Sequence, residues 1–408
     1  MNLKFWRRHE KKQGGGISFI SLPGGRVSAE RLYSYILAFR VSDIVYSVIS
    51  LIQQAATVVP WYLYERKGDE IEEVEDETLS SFLRRPGLRM NWSRYIETYL
   101  GHLLLTGNVY QRIIVPSFKT QISVQFLRPD RVHPRLAPTG AIVYEYLTNG
   151  KVEIIHEEEI LHTKLFNPEE DQEHLTGLSP IASIARAVDV GSFCTEWILQ
   201  LLEQGAMPPL VLSTANDLTE EQREFLRQQI KRDVLGPQNA MNPLILEAGL
   251  KPEKVGFSPR ELNFDHLIKM VLRKVAAAYK VPTELLGDSE NKTYSNVQEA
   301  ERALYYKATL PHLTMLRDEL NSWLVPKIDN KKYIDYDTSG IDALAEDMEK
   351  IWARAGDAID RGLITRNEAR EMMKFGLSKE PGADRLTIPA NVLPLEMIAG
   401  TTSEEQEE

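Results

Sequence analysis

The strongest constraint on this chain is a helix with a marked start and a forced stop. Ser179-Pro180 supplies a serine cap with proline at the first helical position, and the apolar series Ile181, Ile184, Val188, Ile198 and Leu202 runs at helical spacing as far as Gly205. Pro208-Pro209 forbids extension. At 1.5 Å per residue such a helix is roughly 40 Å long. A second helix is expected from Ser258-Pro259-Arg260-Glu261, again a cap, a first-position proline and a glutamate at the third position, and it must end before Pro282. Between them an insert reads as a strand over "PLVLST", an acid-capped helix over "LTEEQREFLRQQIKRDVL" and a strand over "NPLILEAG". Helices with wide apolar stripes and few partners in their own chain pack into an intramolecular bundle or against neighbouring copies that close a ring. Spacing alone leaves both open.

After Pro282 a polar, charge-mixed loop, Gly287 to Ser295, separates two helices, which is more connection than geometry requires and marks a functional or disordered segment. The following helix is expected to start with Ser295 and Gln298 in capping-box spacing and to run to Val325, kinked at Pro311. Upstream, Met1 to about Val27 is basic, glycine-interrupted and reads as flexible. An α/β region follows. Val41 to Thr57 has Ile44, Val48, Leu51, Ile52 and Ala55 at helical spacing, then "VVPWYLYER" switches to strand composition. "RKGDEIEEVEDE" reads as a solvated turn, and "SRYIETYLGHLLLTGNVYQRIIV" as helix, Gly-Asn turn and strand. "VQFLRPDRVHPRL" and "AIVYEYLTNGKVEIIHEEEILHTK" read as short antiparallel strands, the latter pair joined by Asn149-Gly150, a hairpin signal. After a strand over "KYIDYD", helices are expected around Ile351 to Arg361 and Arg366 to Phe375, the second opened by a Thr365/Glu368 capping box. Acidic "TTSEEQEE" reads as a disordered tail.

At 408 residues, 43% hydrophobic and 26% charged, the chain can hold two or three folded domains with substantial cores. No apolar run is long enough for a membrane span, and the basic start has no apolar core after it, so no signal peptide, anchor or membrane partner is expected. One cysteine, Cys194, excludes an intrachain disulfide, and the chain reads as intracellular. The net charge of −11 argues against tight wrapping of nucleic acid, yet suits a surface past which a polyanion slides.

The motifs of common chemistries are absent. "HEEEILH" places His156 and His162 six apart in a strand-like segment, whereas a zincin needs them four apart on a helix, so they read as surface histidines. No GxxxxGK[ST] phosphate loop occurs, which excludes an ATP motor within this chain. Cys194, beside Phe193 and Trp197, reads as a packed thiol, and Ser295 as a helix cap without the GxSxG setting of a nucleophile. No cofactor, catalytic residue or metal site is expected.

"GLSPIASIARAV", "VAAAYKVPTELLGDSENKTYSNVQEAERALYYKATLPHLTMLRDELNSWL" and "GLITRNEAREMMKFGL…GADRLTIPANVLPL" resemble the signature segments of the portal proteins of tailed bacteriophages, of the long-tailed siphovirus type. The resemblance implies an α+β portal-type subunit. Its parts would be a flexible arm (1–27), an α/β wing (28–178), a first stem helix (179–205), a small αβ clip insert (206–257), a second stem helix (258–282), a tunnel loop with kinked tunnel helix (283–325), a return strand to the wing (326–345), a helical C-terminal crown (346–398) and an acidic tail (399–408). It implies a ring of about a dozen copies at one capsid vertex, made in the host cytoplasm, through which double-stranded DNA is packaged and ejected with weak contact. Terminase, the major capsid or scaffolding protein and a head-tail connector are the implied partners. The tunnel loop would present Asp288, Ser289, Glu290, Asn291, Lys292, Thr293 and Tyr294 to the channel.

Within that loop Lys292 offers a screened, movable contact to phosphate and Tyr294 a small amphipathic surface. The competing reading makes Lys292 a solvated charge, with Asn291 and Asn296 stabilising the turn or the helix start. The alternative from another class is a phage-encoded hydrolase or nuclease, which needs acids or histidines clustered around one pocket.

Overall fold

The computed structural model describes residues 29–67, 70–87, 89–114, 122–168, 175–203, 210–213, 219–233, 251–254, 263–288, 294–344, 348–372, 378, 380 and 382–386. The chain divides into two units, 1–337 and 338–408.

The first unit is built on two helices, Asp43–Thr57 and Trp92–Thr106. Ser42 is extended and its hydroxyl accepts from Val45 N, so the helix expected over Val41 to Thr57 starts at Asp43, and a further helix that was not expected, Ala29–Val41, precedes it at a bend of 93°. The buried face is Val45, Val48, Ile49, Ile52, Ala55 and Ala56, while Ile44 and Leu51 lie at its margin. It meets Tyr95, Ile96, Tyr99, Leu100, Leu103 and Leu104 of the other helix, which starts at the Asn91 cap and ends at left-handed Gly107. The two helices approach closely at Gly101, where Gln53 reaches across to the carbonyl of Glu97 at 2.6 Å. No single described helix is long and apolar enough to cross a membrane.

The strands are β1 (Trp61–Lys67), β2 (Glu70–Glu73), β3 (Asn108–Ile114), β4 (Ser123–Leu127), β5 (Val132–Leu136), β6 (Ile142–Thr148), β7 (Lys151–His156), β8 (Ile160–Lys164), β9 (Leu210–Ser213), β10 (Lys251–Lys254) and β11 (Lys332–Tyr336). They form antiparallel sheets in the orders β11-β1-β2, β4-β3-β8, β5-β6-β7 and β10-β9. Asn149 at φ 48 and Gly150 at φ 75 close the β6-β7 hairpin as expected, because a two-residue primed turn needs both in the left-handed region. Val132, Tyr144 and Ile155 of one sheet pack on Tyr110, Leu127 and Ile160 of another.

The segment expected as a solvated turn is instead structured. Glu70–Glu73 pairs with β1, and Asp76 accepts from Thr78 N and Leu79 N to cap a helix, Glu77–Arg84, that buries Leu79 and Phe82. Lys332, 256 residues away on β11, also holds Asp76 at 2.6 Å. A run of charge is compatible with an edge strand, since charges there discourage further pairing.

The insert shows β9 paired with β10 and a helix, Glu220–Asp233, opened by a reciprocal Thr219/Gln222 cap. The expected strand over "NPLILEAG" lies outside the described residues. The expected helical start at Ser258-Pro259 also lies outside them, but Asn263 at φ 45 immediately precedes Phe264–Ala278, so no unbroken helix runs from Pro259. Downstream, Tyr294–Ala303, a π segment Leu304–Thr309, Leu310–Glu319 and a second π segment Leu320–Leu324 follow one another. The first π turn immediately precedes Pro311, whose missing N–H and bulky ring disallow the ordinary bond to residue 307. The buried face of this stretch is Leu304, Ala308, Thr309, Leu313, Leu316, Leu320 and Leu324.

In the second unit, helices Met348–Asp360 and Arg366–Met372 bury Ala355 and Ala369. The capping box is formed, Thr365 N donating to Glu368 and Glu368 N to the Thr365 hydroxyl. Asn367 in the "NEAR" segment holds the following turn: its amide donates to Ser378 O and to Asp384, and it accepts from Ser378 N.

His162 is not a surface histidine. It stacks on Tyr110 at 4.2 Å, with Nε2 against Asn108 Oδ1 at 3.2 Å and Nδ1 against the Tyr144 hydroxyl at 3.4 Å. An amide oxygen only accepts, so Nε2 carries the proton and Nδ1 accepts from Tyr144. Burial pushes His162 down to about 3, His102 to about 4 and His312 to about 4, from 6.5 when unfolded. Below pH 6.5 the unfolded chain therefore binds protons that the folded chain refuses, so stability present at neutral pH drains away as the pH falls through 6.5 toward these values. Each histidine contributes up to about 1.4 kcal/mol per pH unit. The urea midpoint should drop between pH 7 and pH 5, and His102→Gln should flatten the slope. A wild-type midpoint constant over that range would refute this.

Candidate functional site

Two helices, Pro180–Glu203 and Phe264–Ala278, pack antiparallel: a Cβ at Gly191 would lie 3.2 Å from Val271, and Trp197 meets Phe264 at 4.7 Å between ring centroids. Val188 and Cys194 on the first helix and Val271, Val275 and Ala276 on the second are buried. Burial pushes the Cys194 thiol up, as a packed thiol requires.

The start of the first helix is clamped to the body by a clasp centred on Asn108. Its amide donates to Thr106 O at 2.9 Å and Gly177 O at 3.0 Å, and its carbonyl accepts from Gly177 N at 2.7 Å and His162 Nε2. Ser179 caps Ile181 N as expected, while its hydroxyl donates to Leu105 O at 2.6 Å. The backbones cross so tightly that a Cβ on Gly177 would come 2.3 Å from Gly107 O, and one on Gly107 2.3 Å from Leu178 O.

The second helix ends in the reverse turn that leads to the loop. Val281 N donates to Ala276 O and Lys280 N to Ala277 O, with Lys280 at φ 58, an arrangement that usually employs glycine. Tyr279 anchors this end, its hydroxyl donating to Leu104 O at 2.9 Å. The helix therefore ends before Pro282, as expected, and a 3₁₀ turn, Thr283–Leu286, finishes at left-handed Gly287 (φ 93). Around Gly287 a Cβ would meet nothing within 4 Å, so its conformation and not space demands glycine. Asp288 N donates to Thr283 O, and its carboxylate accepts from Arg273 Nε at 2.8 Å. Ser289, Glu290, Asn291, Lys292 and Thr293 lie outside the described residues.

The next helix begins at Tyr294, so Ser295 falls inside its first turn and is not its cap; a helix can start as soon as the preceding residue supplies the geometry, and serine is tolerated within a first turn. A shallow groove separates this helix from the 3₁₀ turn, floored by Pro282, Ala300 and Ala303 and edged by Lys280, Glu284 and Lys307. Among the described residues no group of His, Cys, Asp or Glu side chains is arranged to hold a metal ion. The clasp and the Arg273–Asp288 pair escaped sequence reading. A buried "TGN" after a helix was a usable signal for the first, and nothing local marks the second.

The family model described as phage portal protein matches residues 43–373. The portal protein of Enterobacteria phage HK97 is 25% identical over 367 residues, covering 88% of this chain and 84% of that protein. Among solved structures, the neck of an empty gene transfer agent particle computed with C6 symmetry is 27% identical with a TM-score of 0.65, covering 90% of this chain and 96% of that chain. The neck of the native particle computed with C12 symmetry is 27% identical with a TM-score of 0.60, covering 90% and 97%. The chain belongs to the phage portal protein family. That class is structural and non-enzymatic, belonging to the virion neck and capsid vertex, and the hydrolase or nuclease alternative falls with it. The mixed helix and strand architecture is that of the portal fold.

Proposed function

We propose that this chain is the subunit of a homo-oligomeric ring, of about twelve copies, that forms the DNA channel of a capsid vertex or particle neck. The observation that carries this reading is its likeness to the gene transfer agent neck solved with twelvefold symmetry, which extends over nine-tenths of this chain. Exposed apolar residues support it: Phe193 is 45%, Leu199 56% and Leu202 57% exposed on the long helix, a surface that a neighbouring copy would bury. In this reading 28–178 with the strand from 326–345 is the wing, 179–205 and the helix within 258–282 are the stem, 206–257 is the clip, 283–325 holds the tunnel loop and helix, and 346–398 is the crown. Asp288 roots the tunnel loop, and Ser289 to Tyr294 face the passing DNA, with Lys292 and Tyr294 in weak contact. Terminase, capsid or scaffolding protein and a head-tail connector dock on the ring. Native mass spectrometry of the purified chain should give a single high oligomer near twelve copies, seen as rings in negative stain. Monomer alone across wide ranges of concentration and salt would overturn the proposal.

A further inference from the structure

We infer that the open edge of β7, Lys151–His156, is a docking strand, to which an extended segment of a different protein of the particle adds as the next strand of the sheet. The choice of a different protein over a second copy rests on the ring reading proposed above.

Hairpin geometry fixes which groups face that edge. The residues flanking a two-residue turn form a hydrogen-bonded pair, and such pairs then alternate along the ladder. Thr148 with Lys151, Tyr146 with Glu153 and Tyr144 with Ile155 therefore hold β6 to β7, while the N–H and C=O groups of Val152 and Ile154 point outward. Among the described residues no backbone bond reaches them from outside the hairpin. Their side chains, 59% and 61% exposed, stand on the face opposite fully buried Ile155. An edge that combines unpaired backbone groups with branched apolar side chains is one that folded proteins normally protect.

Other edges of this unit are protected in identifiable ways. The same alternation places Pro134 of β5 where an outward N–H would stand, so its missing donor costs the ladder nothing and blocks that edge. On β11 the Asn321 amide donates to Ile334 O at 2.7 Å and its oxygen accepts from Ile334 N at 2.8 Å, which occupies the edge. β2 is four residues long and three of them are glutamate.

These blocks bear on the occupant. Pairing of β7 with β7 of a second copy is twofold, whereas in a closed ring each copy meets its two neighbours through two different surfaces. Pairing with β5, β11 or β2 of a neighbour meets the protection just described. The occupant is therefore a segment of a different chain, with alternate apolar residues lying beside Val152 and Ile154. Lys151 at one end of β7 and Glu157 and Glu158 beyond the other are exposed, so the segment carries an acid near Lys151 and a lysine or arginine near the glutamates.

The test is hydrogen exchange of the purified full-length ring and of particles built with it. In the ring the Val152 and Ile154 amides should exchange fast while those of Glu153 and Ile155 are protected; in particles Val152 and Ile154 should slow at least about tenfold. Ile154→Pro removes one outward donor and leaves the bonds to β6, so its rings should form and melt like wild type, and Val152 should stay fast in particles. Should proline disrupt the hairpin, the double variant Val152→Lys, Ile154→Lys makes the same comparison with every backbone donor retained. Fast exchange at both amides in ring and particle alike would overturn the inference. Slow exchange already in the purified ring would mean that a second copy fills the edge and would overturn it too. A purified chain that native mass spectrometry shows to be monomeric removes the ring reading, and with it the exclusion of a second copy.

Discussion

Replacing Asn108 with leucine, which nearly matches its volume, should cost about 3–6 kcal/mol of stability. The side chain is fully buried and serves Thr106 O, both backbone groups of Gly177, and His162. Leucine fills the space but leaves Gly177 N–H, Gly177 C=O and His162 Nε2–H without partners, and each buried orphan costs about 1–3 kcal/mol. The clasp determines where the long helix Pro180–Glu203 leaves the body, so proteolysis should appear around 175–180 together with the loss of stability. Gly177→Ala attacks the same crossing by a different mechanism, forcing a Cβ to 2.3 Å from Gly107 O, and should give the same pattern. Urea midpoints of both variants measure it. A shift equivalent to less than about 1 kcal/mol for Asn108→Leu would mean that the crossing is held by backbone contacts alone.

Exchanging Ser289–Thr293 for a Gly/Ser linker of equal length should leave ring assembly nearly intact and abolish efficient filling with DNA. The elements on either side keep their own determinants: the 3₁₀ turn ends at Gly287, Asp288 keeps Arg273, and the helix from Tyr294 buries Ala300 and Leu304. The exchanged residues are polar, so their replacement removes little apolar side chain, and the expected loss is confined to what the segment does in the channel. Lys292→Glu should be the milder form, adding a like charge beside phosphate in every copy at once. Its defect should shrink with rising salt, because exposed charges are screened within about 10 Å at 0.1 M. Counting filled particles and their DNA length for both variants decides the matter. Full-length DNA packaged at the normal rate by the linker variant would sink the loop assignment while leaving the ring standing.

Features legible in the sequence are those whose physics is local. Asn149-Gly150 closes its hairpin, Thr365 and Glu368 exchange their capping bonds, Ser179 caps the long helix and the next one ends before Pro282, because each involves partners within a few residues. Even local signals failed where two were in competition. Ser258-Pro259, which lies outside the described residues, was expected to open an unbroken helix, yet Asn263 in the left-handed region sets the start of Phe264–Ala278. Ser295 and Gln298 offered a capping box, but the helix already begins at Tyr294. The charged segment after β1 hid both a strand and a cap, since "solvated" describes its side chains and not its backbone.

By itself, then, the sequence determined most of the order of helices and strands, though not Ala29–Val41, Glu70–Glu73 or Glu77–Arg84, and the start of the proline-bounded helix, all through dihedral preferences, caps and hydrophobic period. Tertiary structure alone decided that Asn108 clasps Gly177, 69 residues away, that Lys332 reaches Asp76 across 256, that His162 is sealed against Tyr110, and that Arg273 holds Asp288. Such contacts form only once the burial of apolar faces has brought distant segments together and excluded water. A polar side chain's value then depends on which partner it finds in that interior, and no window of sequence around the residue contains that information.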